Sequence, residues 1–270
     1  MNGKGWRDLG SRLGKLAVVL MAVSLLAGCA GRVAVEDRHP DDPWEGFNRG
    51  VYAFNDGLDR ALLRPAAVAY DTVTPDPLQR GVSNFFSNLG ELRTALNSLL
   101  QGKPANAGLA TGRFVINTTV GILGLVDVAT QMEITADKED FGQTLGVWGV
   151  GEGPYLVLPF FGPSTVRDTA GLPVDWVTYP THQLNDRDLE IFLTALNLVD
   201  KRADLLDQEA LIRGDRYVFI RDAYLQRRRF EVSDGELGDD PFASDDFDFD
   251  FDDDDFDFGD EASDGAGEAD

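Results

Sequence analysis

Apolar residues recur at intervals of three and four through most of the chain, which is the spacing of an amphipathic α-helix. The first such helix is predicted to begin at Asp42-Pro43, where a capping residue precedes a proline, and to end at Pro65. Its apolar stripe consists of Trp44, Phe47, Val51, Phe54, Leu58 and Leu62. Because stripes at this spacing usually pack against protein, we predict that Trp44, Phe47 and Phe54 are core residues.

The same spacing predicts four more helices. They cover Asp76 to Gly102, Leu109 to Val128, residues 186–206 and about residues 207–229. The segment from Leu109 to Val128 is the most apolar and has breaks at Gly121 and Gly124. Its longest uncharged run has thirteen residues. A helix that crosses a bilayer needs about twenty, so we expect no full transmembrane span. The predicted fold class is mostly α.

One stretch lacks the helical spacing. Phe141 to Pro163 contains six glycines and three prolines, a density that predicts a shaped loop or a short hairpin instead of a helix. It is nonetheless rich in apolar residues, among them Trp148, Tyr155 and Phe160. A non-helical segment of this composition must pack inside the protein or against another apolar surface.

The amino terminus has the parts of a secretory signal peptide. Basic residues precede an uncharged run from Leu16 to Ala27, and the sequence then reaches Gly28-Cys29. The tetrapeptide Leu26-Ala27-Gly28-Cys29 resembles the lipobox of bacterial lipoproteins, in which the cysteine is acylated and becomes the first residue. Residues 1–28 would then be removed, and Cys29 would carry the lipid anchor. The alternative is an ordinary signal peptide that happens to end in a cysteine.

The residue after Cys29 indicates in which of the two membranes the lipoprotein is anchored. Lipoprotein sorting generally reads an Asp at this position as retention in the inner membrane, whereas this chain has Ala30. We therefore expect a lipid-anchored protein on the periplasmic side of the outer membrane. Residues 29–41 would be a polar linker, and residues 42–237 a helical domain. Since the chain has no second cysteine, that domain is held without a disulfide.

The charge of the chain is concentrated at its carboxyl end. Residues 231–270 contain nineteen acidic and no basic residues, whereas the formal net charge of the whole chain is −23. Residues 247–258 alternate Phe and Asp around a run of four Asp, and the density of like charges predicts that residues 238–270 are a disordered tail. A trap for divalent cations and a docking segment for a basic partner remain alternatives for it.

The sequence offers little catalytic chemistry. It has two histidines, no Gly-x-Ser-x-Gly elbow and no cysteine other than Cys29, so we predict no enzyme, no metal site and no cofactor. Gly149-x-Gly151-x-Gly153 is followed by Pro154 instead of a Lys-bearing helix, which argues against a nucleotide site. The basic residues are dispersed, so nucleic acid is not an expected partner. A catalytic pair of carboxylates is left open.

Several sequence blocks, spread over residues 42–237, occur together. They are Asp42-Pro43-Trp44-Glu45-Gly46-Phe47-Asn48-Arg49, Arg64-Pro65-Ala66-Ala67-Val68-Ala69-Tyr70, Arg113-Phe114-Val115-Ile116-Asn117-Thr118, Phe141-Gly142-Gln143-Thr144-Leu145-Gly146, Gly149 to Tyr155, Leu158 to Ser164, Arg167-Asp168 and Tyr224-Leu225-Gln226-Arg227-Arg228. Together they resemble the MlaA/VacJ family of lipoproteins. The acidic tail is not part of the family pattern.

The resemblance implies a ring of amphipathic helices that lies in the inner leaflet of the outer membrane. It further implies an amphipathic channel that removes mislocalised phospholipids from the outer leaflet and maintains lipid asymmetry. The expected partners are phospholipid, a trimeric porin of the outer membrane and a soluble periplasmic carrier of lipid. Two other functions remain open: a structural lipoprotein that tethers or braces envelope complexes, and a phospholipid-hydrolysing enzyme.

The resemblance also suggests candidate functional residues. Phe141 to Gly153 would form a mobile loop beside the channel. The candidate hinge and loop glycines are Gly142, Gly146, Gly149, Gly151 and Gly153. Arg167 and Asp168 are candidates for contact with lipid headgroups. Alternatively, the glycines only permit a static turn, and Arg167 and Asp168 only cap and solvate a helix that begins at Ser164. For Trp44, Phe47 and Phe54 the resemblance leaves a lipid-facing position as the alternative to the core.

Overall fold

A computed structural model describes residues 39–207, 209 and 214–235. The helices are α1 (Glu45–Leu58), α2 (Arg64–Val73), α3 (Asp76–Leu100), α4 (Pro104–Thr119), α5 (Val128–Gln131), α6 (Phe141–Val147), α7 (Val166–Thr178), α8 (Arg187–Ala203) and α9 (Arg216–Val232). A π-helical segment (Asp59–Leu63) joins α1 to α2, and a 3₁₀ turn (Pro180–Gln183) precedes α8. The predicted mostly α fold is confirmed. The signal peptide, Cys29 and the acidic tail lie outside the described residues, so the predictions on them stay predictions.

The one sheet in the described residues is a short antiparallel hairpin of β1 (Tyr155–Leu158) and β2 (Gly162–Thr165). Tyr155 pairs with Thr165, and Leu158 pairs with Gly162. The turn between the strands needs left-handed backbone, with φ of 68° at Phe160 and 82° at Gly162. The hairpin fits the prediction for the carboxyl half of the stretch from Phe141 to Pro163. For its first part the prediction is wrong, because Phe141–Val147 is helical.

The prediction that Pro65 ends the first helix is also wrong. The π-helical segment carries the chain past this proline, and the N–H of Arg64 donates to the carbonyl of Asp59, five residues back. Pro65 then occupies the first turn of α2, where its missing N–H and its ring are tolerated. The helix begins later than predicted, because α1 starts at Glu45 with Trp44 as its cap residue and no capping side chain.

Two other predicted boundaries differ from the structure. The segment from Leu109 to Val128 is helical only as far as Thr119, and residues 120–126 turn back on themselves. At Gly121 a Cβ atom would lie 2.1 Å from the carbonyl oxygen of Val126, so this turn requires glycine. The last helix begins at Arg216 instead of near residue 207.

The polarity of the fold is reversed relative to a water-soluble protein. Among the described residues, 21 of the buried ones are polar or charged and 11 are hydrophobic. Helix α3 shows the reversal clearly: Asn88, Glu91 and Thr94 are buried, whereas Leu99 is 61% exposed. The small hydrophobic core consists of Val51, Tyr155, Val157, Tyr217 and Leu225. Apolar residues outside and polar residues inside suit a protein whose surroundings are apolar.

This reversal corrects the predicted core. Trp44 and Phe54 are exposed, at 46% and 39%, and only Phe47 of the three packs against the hydrophobic core. The periodicity was sufficient to find the apolar face of α1 but not to decide what that face contacts. Within the described residues no helix is both long and apolar enough to cross a membrane.

Candidate functional site

Three cavities of the described residues lie next to one another, and we call them together the passage. The first cavity, of about 380 Å³, lies between α3 and α8 and is lined by Ser83, Ser87, Glu91, Asn197 and Asp200. The second cavity, of about 330 Å³, is lined by Asp140, Gln143, Ser164, Asp168, Asp175 and Arg228. The third cavity, of about 560 Å³, is lined by Tyr52, Asn55, Val157, Leu205, Phe219 and Ile220.

Neighbouring cavities share lining residues. Arg93 and Lys138 line both the first and the second cavity. Pro163, in the hairpin, lines both the second and the third. The first cavity exposes slightly more polar than apolar surface, the second exposes more apolar than polar surface although charged residues line it, and the third has a largely aromatic and aliphatic wall. The passage is therefore amphipathic along its length.

A buried ionic cluster around Arg228 forms one wall of the second cavity. The guanidinium of Arg228 donates to both carboxylate oxygens of Asp140, at 2.7 and 3.0 Å. It also donates to both oxygens of Asp168, at 3.0 Å each. Arg167 Nε donates to Asp168 Oδ1 at 3.0 Å, and the hydroxyl of Tyr224 donates to Asp168 Oδ2 at 2.8 Å. One arginine of α9 thus holds the start of α6 and the start of α7 together.

The arginine keeps its carboxylate partners ionised. Burial by itself raises the pKa of Asp168, but the hydrogen bonds and the charge of Arg228 outweigh burial and hold this pKa below its ordinary value. The same balance lowers the pKa of Asp140. Bidentate pairs of this kind are the strongest hydrogen bonds that an arginine makes.

Asp175 differs from these carboxylates. Its oxygens accept the backbone N–H of Phe141 at 3.0 and 3.3 Å, and it has no ion pair within the described residues. Burial raises the pKa of Asp175 to about 6; the positive charge of Arg93 opposes this shift, and the negative charge of Asp140 adds to it. Since this pKa is raised, the stability that Asp175 contributes is greatest below its ordinary pKa and is lost as the pH rises through 6.

A second ionic cluster fixes α4 against α3. Arg113 Nε donates to Glu91 Oε1 at 2.8 Å, and Arg113 Nη2 donates to Asp127 Oδ2 at 3.0 Å. Asn117 Nδ2 donates to the other oxygen of Asp127 at 2.9 Å. This cluster holds the exposed turn of residues 120–126 to the two helices, and the apolar side chains of Ile122 and Leu123 on that turn are about two-thirds exposed.

A third polar cluster, around Asn48 and Asp42, anchors the hairpin. Asn48 Nδ2 donates to Asp42 Oδ1 at 2.8 Å and to the carbonyl of Tyr155 at 3.0 Å, and Asn48 Oδ1 accepts the N–H of Val157 at 2.9 Å. The hydroxyl of Tyr217 donates to the other oxygen of Asp42. The sequence pattern indicated only a helix cap at Asp42, because the other partners of Asp42 and Asn48, which are Tyr155, Val157 and Tyr217, lie more than 100 residues away.

The two headgroup candidates lie in the first turn of α7. Thr165 caps this helix by accepting the N–H of Asp168 at 3.1 Å. Asp168 lines the second cavity, but both its oxygens are already occupied by Arg228, Arg167 and Tyr224. Arg167 is buried and donates to its neighbour Asp168. Contact of these two residues with a headgroup stays a prediction, and the structure gives both a role in the ionic cluster.

The candidate glycines fall into two groups. Gly149, Gly151 and Gly153 lie in the loop between α6 and β1, and Gly149 and Gly153 have positive φ angles of 89° and 69°. Gly142 and Gly146 lie inside α6 instead. A Cβ atom on Gly142 would come within 2.6 Å of Asp168 Oδ1, and one on Gly146 within 2.8 Å of Val232 Cγ1. These two glycines allow close packing of α6, and their role as hinges stays a prediction.

The packing of α6 on α7 leads to a stability prediction. A Cβ atom on Gly171 would lie 2.8 Å from the backbone nitrogen of Gly142, so Gly171→Ala forces the two helices apart. We expect the free energy of unfolding to fall by about 1–3 kcal/mol. Gly112→Ala is the matched control, because its Cβ atom would meet nothing within 4 Å. We expect that variant to be as stable as the wild type, or up to about 1 kcal/mol more stable.

Denaturation of the two purified variants in the same detergent measures this difference. Equal stability of Gly171→Ala and Gly112→Ala would show that α6 and α7 are not in backbone contact at this point.

Within the described residues no group of three or more His, Cys, Asp or Glu is placed to hold a metal ion. The three polar clusters are instead joined by arginine or amide donors. The arrangement can therefore hold helices around a polar interior and offer a route for a molecule with polar and apolar parts.

Comparison with known proteins identifies the family. The family model described as MlaA lipoprotein matches residues 40–231. The "Intermembrane phospholipid transport system lipoprotein MlaA" of Escherichia coli (strain K12) is 37% identical over 236 residues, which are 83% of this chain and 90% of the relative. The protein of the same name from Haemophilus influenzae is 35% identical over 231 residues, 82% of this chain and 92% of the relative.

A solved structure indicates the same family as these relatives. It is described as the "Structural basis for maintenance of bacterial outer membrane lipid asymmetry", is 38% identical and has a TM-score of 0.63. The match covers 71% of this chain and 98% of that one. The resemblance that the sequence blocks indicated is confirmed, and this chain belongs to the MlaA lipoprotein family.

Proposed function

We propose that this chain removes phospholipids that have strayed into the outer leaflet of the outer membrane and conducts them through the passage toward the periplasm. The proposal is supported by the relatives named for intermembrane phospholipid transport and by the structural relative concerned with outer-membrane lipid asymmetry. Transport of this kind requires a site that moves lipid without breaking a covalent bond. We therefore assign the chain no catalytic role.

The reversed polarity is the observation that carries the proposal. Moving a charged headgroup into an apolar surrounding without partners costs several kcal/mol or more, and a polar wall offsets this cost. The first cavity provides such a wall, with Ser83, Ser87 and Asn197 among its neutral polar groups, and charged residues line the second. The more apolar third cavity, lined by Val157 and Phe219, suits acyl chains. A protein that only tethered other complexes would have no need of an amphipathic passage.

The exposed apolar residues support a location within one leaflet. Helices with a polar and an apolar face lie in a membrane interface with the apolar face among the acyl chains. The most exposed large hydrophobic side chains of the described residues include Leu62, Val73, Val120, Ile122, Leu123 and Phe160. A lipid anchor at Cys29 would add firm attachment on the periplasmic side of the outer membrane, because several acyl chains bind far more strongly than one.

Two protein partners complete the proposed function. A trimeric porin would hold the ring of helices in the outer membrane, and a soluble periplasmic carrier would receive the lipid. Membership of the MlaA lipoprotein family supports both proposals. The loop of Gly149, Gly151 and Gly153 precedes the hairpin whose residues Leu158 and Pro163 line the second cavity, so a change in this loop would move the wall of the passage.

Cells that lack this chain test the proposal. We expect them to expose more phospholipid on their outer surface, measured by labelling of intact cells, and we expect a plasmid copy of the chain to reverse the rise. Cells with an empty plasmid are the control. An unchanged amount of surface phospholipid in the deleted strain would contradict removal of lipid from the outer leaflet.

A further inference from the structure

Three basic residues from separate segments line the first cavity. Arg93 belongs to α3, Lys138 precedes α6, and Lys201 belongs to α8. Arg93 and Lys138 also line the second cavity, so they lie where the two cavities meet. We call Arg93, Lys138 and Lys201 the cationic trio.

The cations of the trio differ from those of the ionic clusters in burial and in pairing, because Arg93 is half-buried and Lys138 and Lys201 are exposed. Arg113 and Arg228 each pair with two or more carboxylates, whereas no residue of the trio forms an ion pair within the described residues. The Nε atom of Arg93 is buried and has no hydrogen-bond partner. A buried donor without a partner is costly, which makes such a group in a cavity wall a candidate for contact with a ligand.

The carboxylates of the first cavity are largely occupied elsewhere. Asp200 accepts hydrogen bonds from Tyr70 at 2.9 Å and Ser83 at 2.8 Å, and Glu91 is paired through Oε1 with Arg113. Asp204 also lines the cavity, and it has an interaction of its own. Three acidic residues thus balance the three basic residues of the cavity lining, and the acidic residues already have partners of their own.

The three charges are close enough to repel one another. Burial lowers the pKa of Lys201, and the positive charges of Arg93 and Lys138 lower it further. An anion placed among the three would relieve this repulsion. The same cavity holds two buried acceptors without partners, Glu91 Oε2 and Asn197 Oδ1, which match a hydroxyl or ammonium donor.

We propose that the cationic trio binds the phosphate of a phospholipid as its headgroup enters the passage. This inference rests on the proposed function and adds the site at which the lipid is recognised. The planar guanidinium of Arg93 can donate to two phosphate oxygens at once, and the lysines contribute flexible point charges. The unpartnered acceptors would receive the donor groups of the headgroup. A cavity of about 380 Å³ is within the size range of small-molecule sites.

Lipid competition on the purified full chain tests the site. Detergent-solubilised protein is offered equal amounts of phosphatidylglycerol and diacylglycerol with the same acyl chains, and mass spectrometry measures the bound lipids. We expect the wild type to be enriched in phosphatidylglycerol. In the triple variant Arg93→Gln, Lys138→Gln, Lys201→Gln, we expect this enrichment to fall about tenfold or more, because each lost hydrogen bond was made to a charged group.

The control variant also removes three positive charges, but at positions outside the passage. It carries Arg60→Gln, Arg80→Gln and Arg187→Gln, all at exposed positions, and should keep the enrichment of the wild type. Circular dichroism shows whether the triple variant is folded. The single variant Arg93→Gln is measured as well, and it provides the test if the triple variant does not fold. Unchanged enrichment in folded variants of the trio would overturn the proposal.

Inorganic phosphate distinguishes the two possible sources of the anion. If phosphate binds the wild type but not the trio variant, while the enrichment of phosphatidylglycerol is the same in both, the site serves free phosphate and the proposal is wrong. If the wild type binds neither lipid, the proposed function fails independently of the trio.

Discussion

Arg228→Gln is expected to lower the free energy of unfolding by about 3–5 kcal/mol, since it leaves buried carboxylates without their cation. Arg228 is 7% exposed and makes bidentate contacts to Asp140 and Asp168. Its loss would detach α9 from the starts of α6 and α7 and would open the wall of the second cavity. Thermal and chemical denaturation of the purified variant, in the detergent used for the wild type, measures the effect.

The neighbouring Arg227 provides a matched control. Its side chain is 77% exposed and pairs with Glu231 four residues along the same helix, an arrangement worth less than about 1 kcal/mol. We expect Arg227→Gln to resemble the wild type. A similar loss of stability in both variants would mean that charge on α9, and not the buried cluster, stabilises the fold.

The cluster also predicts a dependence on pH. Because the pKa values of Asp140 and Asp168 are lowered in the folded state, their contribution is present above the ordinary carboxyl pKa of about 4 and is lost as the pH falls through the folded values. The wild type should lose stability on acidification below about pH 4. In Arg228→Gln this loss should be much smaller, because the carboxylates no longer favour the ionised form.

The sequence was sufficient to find the helices but not their orientation. Helix α3 occupies Asp76–Leu100, close to its predicted extent, because proline and glycine mark its ends. Its leucines at 92, 96 and 99 form the predicted stripe, yet they face outward. Periodicity identifies an apolar face but carries no information on whether protein or lipid covers it. The polar face of α3, with Asn88 and Glu91, carries the signal for which side is buried, because these residue types recur at helical spacing and buried polar groups need partners.

The candidate site was less predictable than the helices. Arg228 was named only in a block that resembles the family and was given no partner, whereas its partner Asp140 is 88 residues away in the sequence. Contacts between such distant segments leave no trace in local spacing. The segment of Phe141–Val147 was predicted as a loop because glycine is a poor helix former. Close approach of α7, where Gly171 meets Gly142, explains why glycines occur inside this helix.

Blocking the passage is expected to abolish function without disturbing the fold. Ser87 lines the first cavity and lies on the polar face of α3, so Ser87→Cys places a small reactive group in the passage. Cys29 is the only cysteine of the sequence, and acylation would leave the new thiol as the one free site for a bulky thiol reagent. Modification after folding avoids the packing errors that a large residue would introduce during synthesis.

Leu99→Cys is the control on the same helix. Leu99 is 61% exposed on the outer face of α3, so its modification adds equal bulk outside the passage. Both variants should complement a deletion strain before the reagent is added. The mass of each recovered protein shows whether the thiol was modified.

Surface phospholipid of intact cells, measured with and without the reagent, tests the central claim that lipid moves through the passage. After modification, cells with Ser87→Cys should expose as much phospholipid as cells that lack the chain, and cells with Leu99→Cys should remain at the level of the wild type. Low surface phospholipid in cells whose Ser87→Cys protein is fully modified would contradict the claim.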